Sequence, residues 1–189
     1  MNKSILKNKV NSLFPNLGES SLDSFVENAT YLKSTKGTKL ISEGKRHHYF
    51  YLILNGGVKS YYRKDSKEVA LWFAFENETV ATINTFRGLP SNETIELLED
   101  SELIRFKTEP IKELTQTNLA ISNLMTELIT EHAVFLEQRL YQLQFMSSEE
   151  RYKALINVAP EVLQKVSLTD ISSYLGVSRE TVSRIRRKK

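Results

Sequence analysis

The chain has 189 residues, a formal net charge of +3 and no cysteine, which removes a disulfide framework, a thiolate zinc site, a cysteine-held iron–sulfur cluster and a thiol nucleophile together. Hydrophobic residues make up 40% and charged residues 26%, enough apolar material for a core and too much for a disordered tail. The longest apolar run, residues 69–75, is far shorter than the roughly 18 residues of a membrane helix.

Residues 1–28 lack the apolar stretch of a signal peptide, so the expected location is the cytoplasm. They predict two short helices broken near Pro15, the second capped by Ser21 with Leu22, Phe25 and Val26 inward. From about 30 to 107, short runs rich in Tyr, Val, Ile, Leu and Phe alternate with turn residues. Candidate strands are 38–42, 48–54, 58–63, 68–75, 92–98 and 102–107. Asn55-Gly56-Gly57 is a hairpin signal, because Asn and Gly accept positive φ. Short strands at this spacing predict an antiparallel sandwich or barrel-like roll. Trp72, Phe73 and Phe75 are expected in its core. His47 and His48, adjacent on a strand, point to opposite faces and cannot chelate one metal together, and no metal site is expected.

Thr108 is the expected cap of a helical region, with Pro110 in its first turn. Apolar residues at three- and four-residue spacing then predict a helix over about 118–146, longer than a two-layer domain of this size needs. Its second apolar edge is expected to serve another copy of the chain, through Ile121, Leu124, Leu128 and Phe135. His132 is expected as a packed histidine rather than a haem ligand. Ser147-Ser148-Glu149-Glu150 is a capping box that starts a further helix, to about Asn157.

Residues 151–189 hold nine Lys/Arg and three Asp/Glu, while the rest of the chain is net acidic. A basic unit on an acidic body fits a polyanion-binding end. Within it, Ser167 caps a helix with Ile171, Tyr174 and Leu175 inward, Gly176 supplies a sharp turn, and Val177 plugs the space between two helices. Ser178 then caps a second helix with Val182 and Ile185 inward and Arg179, Glu180, Ser183 and Arg184 outward, the pattern of a helix-turn-helix. Arg bonds bidentately to guanine and Glu accepts from cytosine, so the outward set suits base reading.

Ser178-Arg179-Glu180-Thr181-Val182-Ser183-Arg184, following Tyr174-Leu175-Gly176-Val177, resembles the recognition helix of the cyclic-AMP receptor/Fnr (Crp/Fnr) family of bacterial transcription regulators. Gly44, the strand at 49–54 and Gly56-Gly57-Val58-Lys59 resemble that family's β-roll. Pro90-Ser91 and the helix start at Ser148, Arg151 and Tyr152 resemble its Bacteroidetes sub-branch. The resemblance implies an α+β fold: an N-terminal cyclic-nucleotide-binding-like antiparallel β-roll (a double-stranded β-helix) over 1–109, a dimerisation helix over 110–146, and a winged-helix-like helix-turn-helix domain over 147–189. It implies that Arg179, Glu180 and Arg184 read base edges. Ser167, Thr169, Ser178, Thr181, Ser183, Arg186 and Arg187 would hold phosphates, with Lys188 and Lys189 adding affinity. The implied partners are double-stranded DNA, a second copy of the chain and RNA polymerase, with an unidentified small-molecule effector and no membrane.

Cyclic-nucleotide binders of the family use Gly-Glu and, about ten residues later, Arg followed by Ser or Thr. Between Glu76 and Leu98 there is no Gly-Glu pair, and Ser91-Asn92 stands where Arg-Ser is required. Glu76, Glu78, Glu93 and Glu96 make the neighbourhood acidic, so cyclic AMP is not expected, and no other cofactor is predicted. No glycine-rich phosphate loop, His-Glu-x-x-His or Gly-x-Ser-x-Gly motif occurs, so the chain does not read as an enzyme. Two alternatives remain open: a ligand-binding roll whose basic end docks RNA or protein, and a metal-dependent enzyme on a cupin-like roll.

Overall fold

In a computed structural model residues 2–65 and 67–187 are described, which leaves Lys188 and Lys189 outside. The Asn2 side chain accepts from the Ile5 N–H and starts α1 (Lys3–Leu13). A 3₁₀ turn (Pro15–Leu17) and Gly18, at φ 69°, lead into α2 (Glu19–Glu27). Because Gly18 sets that start, Ser21 lies inside the helix rather than capping it, and its hydroxyl donates to Asn118 Oδ1 at 3.1 Å.

The strands are β1 (Ala29–Ser34), β2 (Lys39–Ile41), β3 (Tyr49–Asn55), β4 (Gly57–Lys64), β5 (Lys67–Phe75), β6 (Thr79–Val80), β7 (Thr94–Leu97) and β8 (Ser101–Lys107), with α3 (Ile83–Arg87) between β6 and β7. They form two four-stranded antiparallel sheets, ordered β1-β8-β3-β6 and β2-β7-β4-β5. Asn55-Gly56-Gly57 is therefore not a hairpin. β3 and β4 belong to different sheets, and the chain crosses between them at Gly56, φ 114°. The hairpin of this region is β4–β5, running from Gly57↔Phe75 to Lys64↔Lys67.

Alternation along the strands sorts their side chains into two cores. Ile41, Ile53, Val58, Ala74, Ile95, Leu97 and Leu103 meet between the sheets. Phe50, Leu52, Ile104 and Phe106 face the other way, toward the helices, where Phe25 lies 4.8 Å from Phe106 between ring centroids. β3 is consequently buried on both faces.

α4 (Thr108–Thr117) has Lys107 at its N-cap; Thr108 is already helical, and its buried hydroxyl has no partner. The chain then enters α5 (Leu119–Phe145), 27 residues long and capped by Asn118. The capping box of Ser147 and Glu150 is present and opens α6 (Ser148–Val158). α7 (Val162–Lys165), α8 (Leu168–Leu175) and α9 (Arg179–Arg187) complete a C-terminal head that has no strand, and hence no wing, among its described residues. No described helix is long and apolar enough to cross a membrane.

Candidate nucleic-acid interface

The Ser167 hydroxyl accepts the Asp170 N–H at 3.0 Å and starts α8. Gly176, at φ 68°, stops it in the left-handed region, where the chain reverses within three residues. Ser178 then accepts the Thr181 N–H at 3.2 Å and starts α9. Val182 and Ile185 are buried against Ile171, Leu175, Tyr152 and Val162. The same rotation leaves Arg179, Glu180, Arg184 and Arg187 exposed on the opposite face. Glu180 stays ionised, because its own N–H and the Ser178 hydroxyl hold its carboxyl below the usual range.

The expected phosphate contacts divide. Ser167, Thr169 and Ser178 are exposed, and Thr181 and Ser183 are half-buried. Arg186 turns inward: its Nε donates to the Tyr152 hydroxyl at 3.2 Å, and its guanidinium lies 6.0 Å from the ring centroid. At one residue past Ile185 it sits nearer the buried stripe than the solvent face, so its assignment to phosphate is withdrawn.

The head is docked on the roll. β5 is an edge strand, and the Ser173 hydroxyl of α8 takes up its free edge, accepting from the Ala70 N–H at 3.0 Å and donating to the Glu68 carbonyl at 3.2 Å. Lys59 lies between Glu68 (2.9 Å) and Asp170 (3.2 Å). Burial opposes its charge, but the two carboxylates outweigh burial and raise its pKa. Ala70, Phe75 and Leu98 of the roll close the apolar core of the head. Two arginines missed in the sequence hold the end of α8. Arg139 of α5 donates to the Tyr174 carbonyl and stacks 3.8 Å from that ring's centroid. Arg151 of α6 donates to the Leu175 carbonyl.

Of the expected dimer residues, Ile121 and Leu124 are buried against α1, α2 and the roll, and cannot reach a second copy. Leu128 and Phe135 are half-buried. The apolar residues that α5 leaves exposed include, beside Val134, Tyr141 and Phe145, a line of Ile129, Ala133, Leu136, Leu140 and Leu143, spaced four, three, four and three residues apart. That is heptad spacing; the sequence stripe does run on through Leu136, Leu140 and Leu143, but its expected interface stops at Phe135.

Between the roll and α5 lies an open cleft of about 1110 Å³, lined by Phe50, Phe86, Leu128, His132 and Phe135 among others. His132 is half-buried there with its pKa lowered by burial. Beside it, Trp72 Nε1 donates to a Glu93 carboxylate oxygen at 3.1 Å, and the Ser60 hydroxyl donates to the same atom. Burial raises the pKa of Glu93, against the pull of these two donors. Arg87, the cation nearest in sequence, is exposed and donates to Asn84.

Residues 32–118 match the family described as the cyclic nucleotide-binding domain. No curated protein sequence matches the chain. Among solved structures, FixK2 from Bradyrhizobium japonicum superposes with a TM-score of 0.76 at 18% identity, over 85% of this chain and 83% of its own. A putative Crp/Fnr-family transcriptional regulator from Eubacterium rectale gives 0.72 at 19% identity, over 93% and 85%. The c-di-GMP responsive global regulator CLP of Xanthomonas campestris gives 0.66 at 16%, over 88% and 89%. At these identities the likeness is one of fold.

Proposed function

We propose that this chain, which has the fold of the Crp/Fnr regulators and a cyclic nucleotide-binding-type domain at residues 32–118, is a sequence-specific DNA-binding transcription regulator. It works as a homodimer on a two-fold symmetric duplex site and acts through RNA polymerase. The observation that carries this reading is α9, anchored by Val182 and Ile185 and presenting Arg179, Glu180 and Arg184 together to solvent. Arg179 and Glu180 lie in its first turn, the part of a recognition helix that meets base edges, and Arg184 lies one turn on. Ser178, Thr181 and the helix N-terminus hold the flanking phosphates. The dimer forms along Ile129, Ala133, Leu136, Leu140 and Leu143.

Selection from a random duplex pool at fixed near-physiological salt tests this directly. Enrichment of a two-fold symmetric site is expected; salt-sensitive background alone would refute sequence reading. On the selected site, Arg179→Ala should cost about 1–3 kcal/mol and relax preference at one base pair. An equal loss on random DNA in the same titration would remove its base-reading role.

A cyclic nucleotide does not fit the roll. Its phosphate needs a cation, whereas the Ser60 hydroxyl and Trp72 here already serve the Glu93 carboxylate, and Arg87 is exposed and turned to Asn84. We therefore assign the roll no cyclic AMP; an effector of other chemistry, held in the cleft beside α5, remains its proposed ligand. Folding raises the pKa of Glu93 from its ordinary 4.5, so the protonated form is the one that folding favours. The stability it brings is complete below the unfolded value and is lost as pH rises through the folded one. Glu93→Gln keeps both donors satisfied without the charge. Its melting temperature should exceed that of the wild type at neutral pH and converge with it in acid; parallel melting curves across pH would contradict the assignment.

A further inference from the structure

We infer that Arg139 and Arg151, which face the head and not DNA, set the half-site spacing that the dimer accepts. The inference rests on the DNA-binding dimer proposed above. Reading two half-sites about one helical turn apart requires each recognition helix to be held at a fixed angle to the dimer axis. That axis runs along α5, whereas the recognition helix is α9, and the two are joined through α6, α7 and α8.

One side-chain tie between them, beside the Arg186–Tyr152 bond that joins α9 to α6, is the pair of arginines. Where α8 stops at Gly176, its last carbonyls have no helical partner. Arg139 projects from α5, between Leu136 and Leu140 of the dimer stripe, and supplies a donor to the Tyr174 carbonyl while stacking on the Tyr174 ring. Arg151 uses its whole fork. Nε and Nη2 donate to the Leu175 carbonyl at 3.3 and 3.0 Å, and Nη1 donates at 2.6 Å to the carbonyl of Met146, the C-cap of α5. One guanidinium thus ties the end of the dimer helix to the end of α8, four residues before α9 begins. Both cations sit at the negative end of the α8 dipole, which favours them there. A lysine at either place keeps the charge but loses the planar fork: at 139 it no longer stacks flat on the Tyr174 ring, and at 151 one compact ammonium replaces three nitrogens spread between the Met146 and Leu175 carbonyls.

Loosening this link frees each head to swing without changing how it reads its own half-site. The test uses the full-length chain as Arg139→Lys, Arg151→Lys and the double variant. Each is titrated against a single half-site, the selected palindrome, and palindromes longer or shorter by about two base pairs. Half-site affinity should stay within about twofold of wild type, while a wild-type preference for the selected spacing of about tenfold or more shrinks to about threefold or less. The salt slope should not change, because no phosphate contact is removed.

A parallel fall on half-site and palindrome would mean a merely structural role and overturn the inference. So would an unchanged spacing preference. If the double variant fails to fold, Tyr174→Leu removes the stacking ring while sparing both carbonyls, and must loosen the spacing in the same way. Ser173→Ala, which cuts the head from the β5 edge alone, must leave the spacing preference intact; if it is this variant that broadens it, the roll sets the angle and the arginines do not. A wild type that selects no two-fold site refutes the DNA reading itself, whereas one that selects such a site while the arginine variants keep its spacing refutes only this inference.

Discussion

Replacing Leu136 and Leu140 together by glutamate will convert the protein to a monomer and abolish its preference for a two-fold symmetric duplex, leaving half-site binding in place. In the single chain these side chains are 44% and 56% exposed, and they continue a stripe with Ile129 (56%) and Leu143 (50%). Each leucine buried at a seam contributes about 1.5–3 kcal/mol, and two-fold symmetry counts every position twice. The double substitution removes that and places like charges face to face. Because coupling two half-sites multiplies affinity by roughly 10² or more, the palindrome preference goes with the seam. Light scattering beside a DNA titration checks both; an unchanged mass would place the seam elsewhere. Ile121→Glu is the informative contrast, since Ile121 is fully buried in the chain's own core and its loss should unfold the protein.

Gly56→Ala will be more damaging than the same change at any other glycine of the roll. A Cβ there would lie 2.1 Å from Ser101 Oγ, 2.6 Å from Ser101 Cβ and 3.1 Å from Ser101 Cα, so rotating one hydroxyl does not make room. The backbone at φ 114° is also one that side chains with a Cβ resist. Strain of about 1–2 kcal/mol and overpacking of about 1–3 kcal/mol together approach half of a marginal protein's stability. Chemical denaturation should show a loss of about 2–5 kcal/mol on those grounds. Ser101→Gly in the same chain should recover the steric part and not the conformational part. Gly37→Ala, at φ 80° with nothing within 4 Å, should cost only the latter. If Gly56→Ala proves no worse than Gly37→Ala, the crossing between sheets is not as tight as the structure has it.

The legible parts of the chain were those governed by local rules. The capping box of Ser147 and Glu150, the caps at Ser167 and Ser178, the 3.6-residue stripe of α5 and the turn at Gly176 depend on neighbours a few residues away and fall where the pattern puts them, although Ser21 and Thr108 lie inside helices they were expected to cap. Long-range pairing was not legible in the same way. Asn55-Gly56-Gly57 has hairpin chemistry, yet it carries the chain from one sheet to the other, because the partners of β3 are β8 and β6. β1 and β6 escaped notice, the first mixed in polarity and the second only two residues long. On α5 the apolar stripe was visible, but sequence spacing does not say which edge faces the chain's own core. Of the interface, the outward residues of α9 follow from helical rotation, whereas Arg139 and Arg151 are ordinary helix arginines until α8 is folded against them.

The docking of α8 on β5 has a meaning during synthesis. An unpaired strand edge is a template for any passing strand, and the side chain that covers this one belongs to Ser173, almost a hundred residues downstream of the strand's end. Ser173 follows the end of β8 at Lys107 by 66 residues, so at about 5–20 residues per second the edge stands uncovered for roughly 3–13 s after the roll can form. Charged residues at the open end of the β4–β5 ribbon, Arg63, Lys64, Lys67 and Glu68, are the kind that discourage such pairing in the interval. The helix on which α9 packs is thus also the last closure of the sheet.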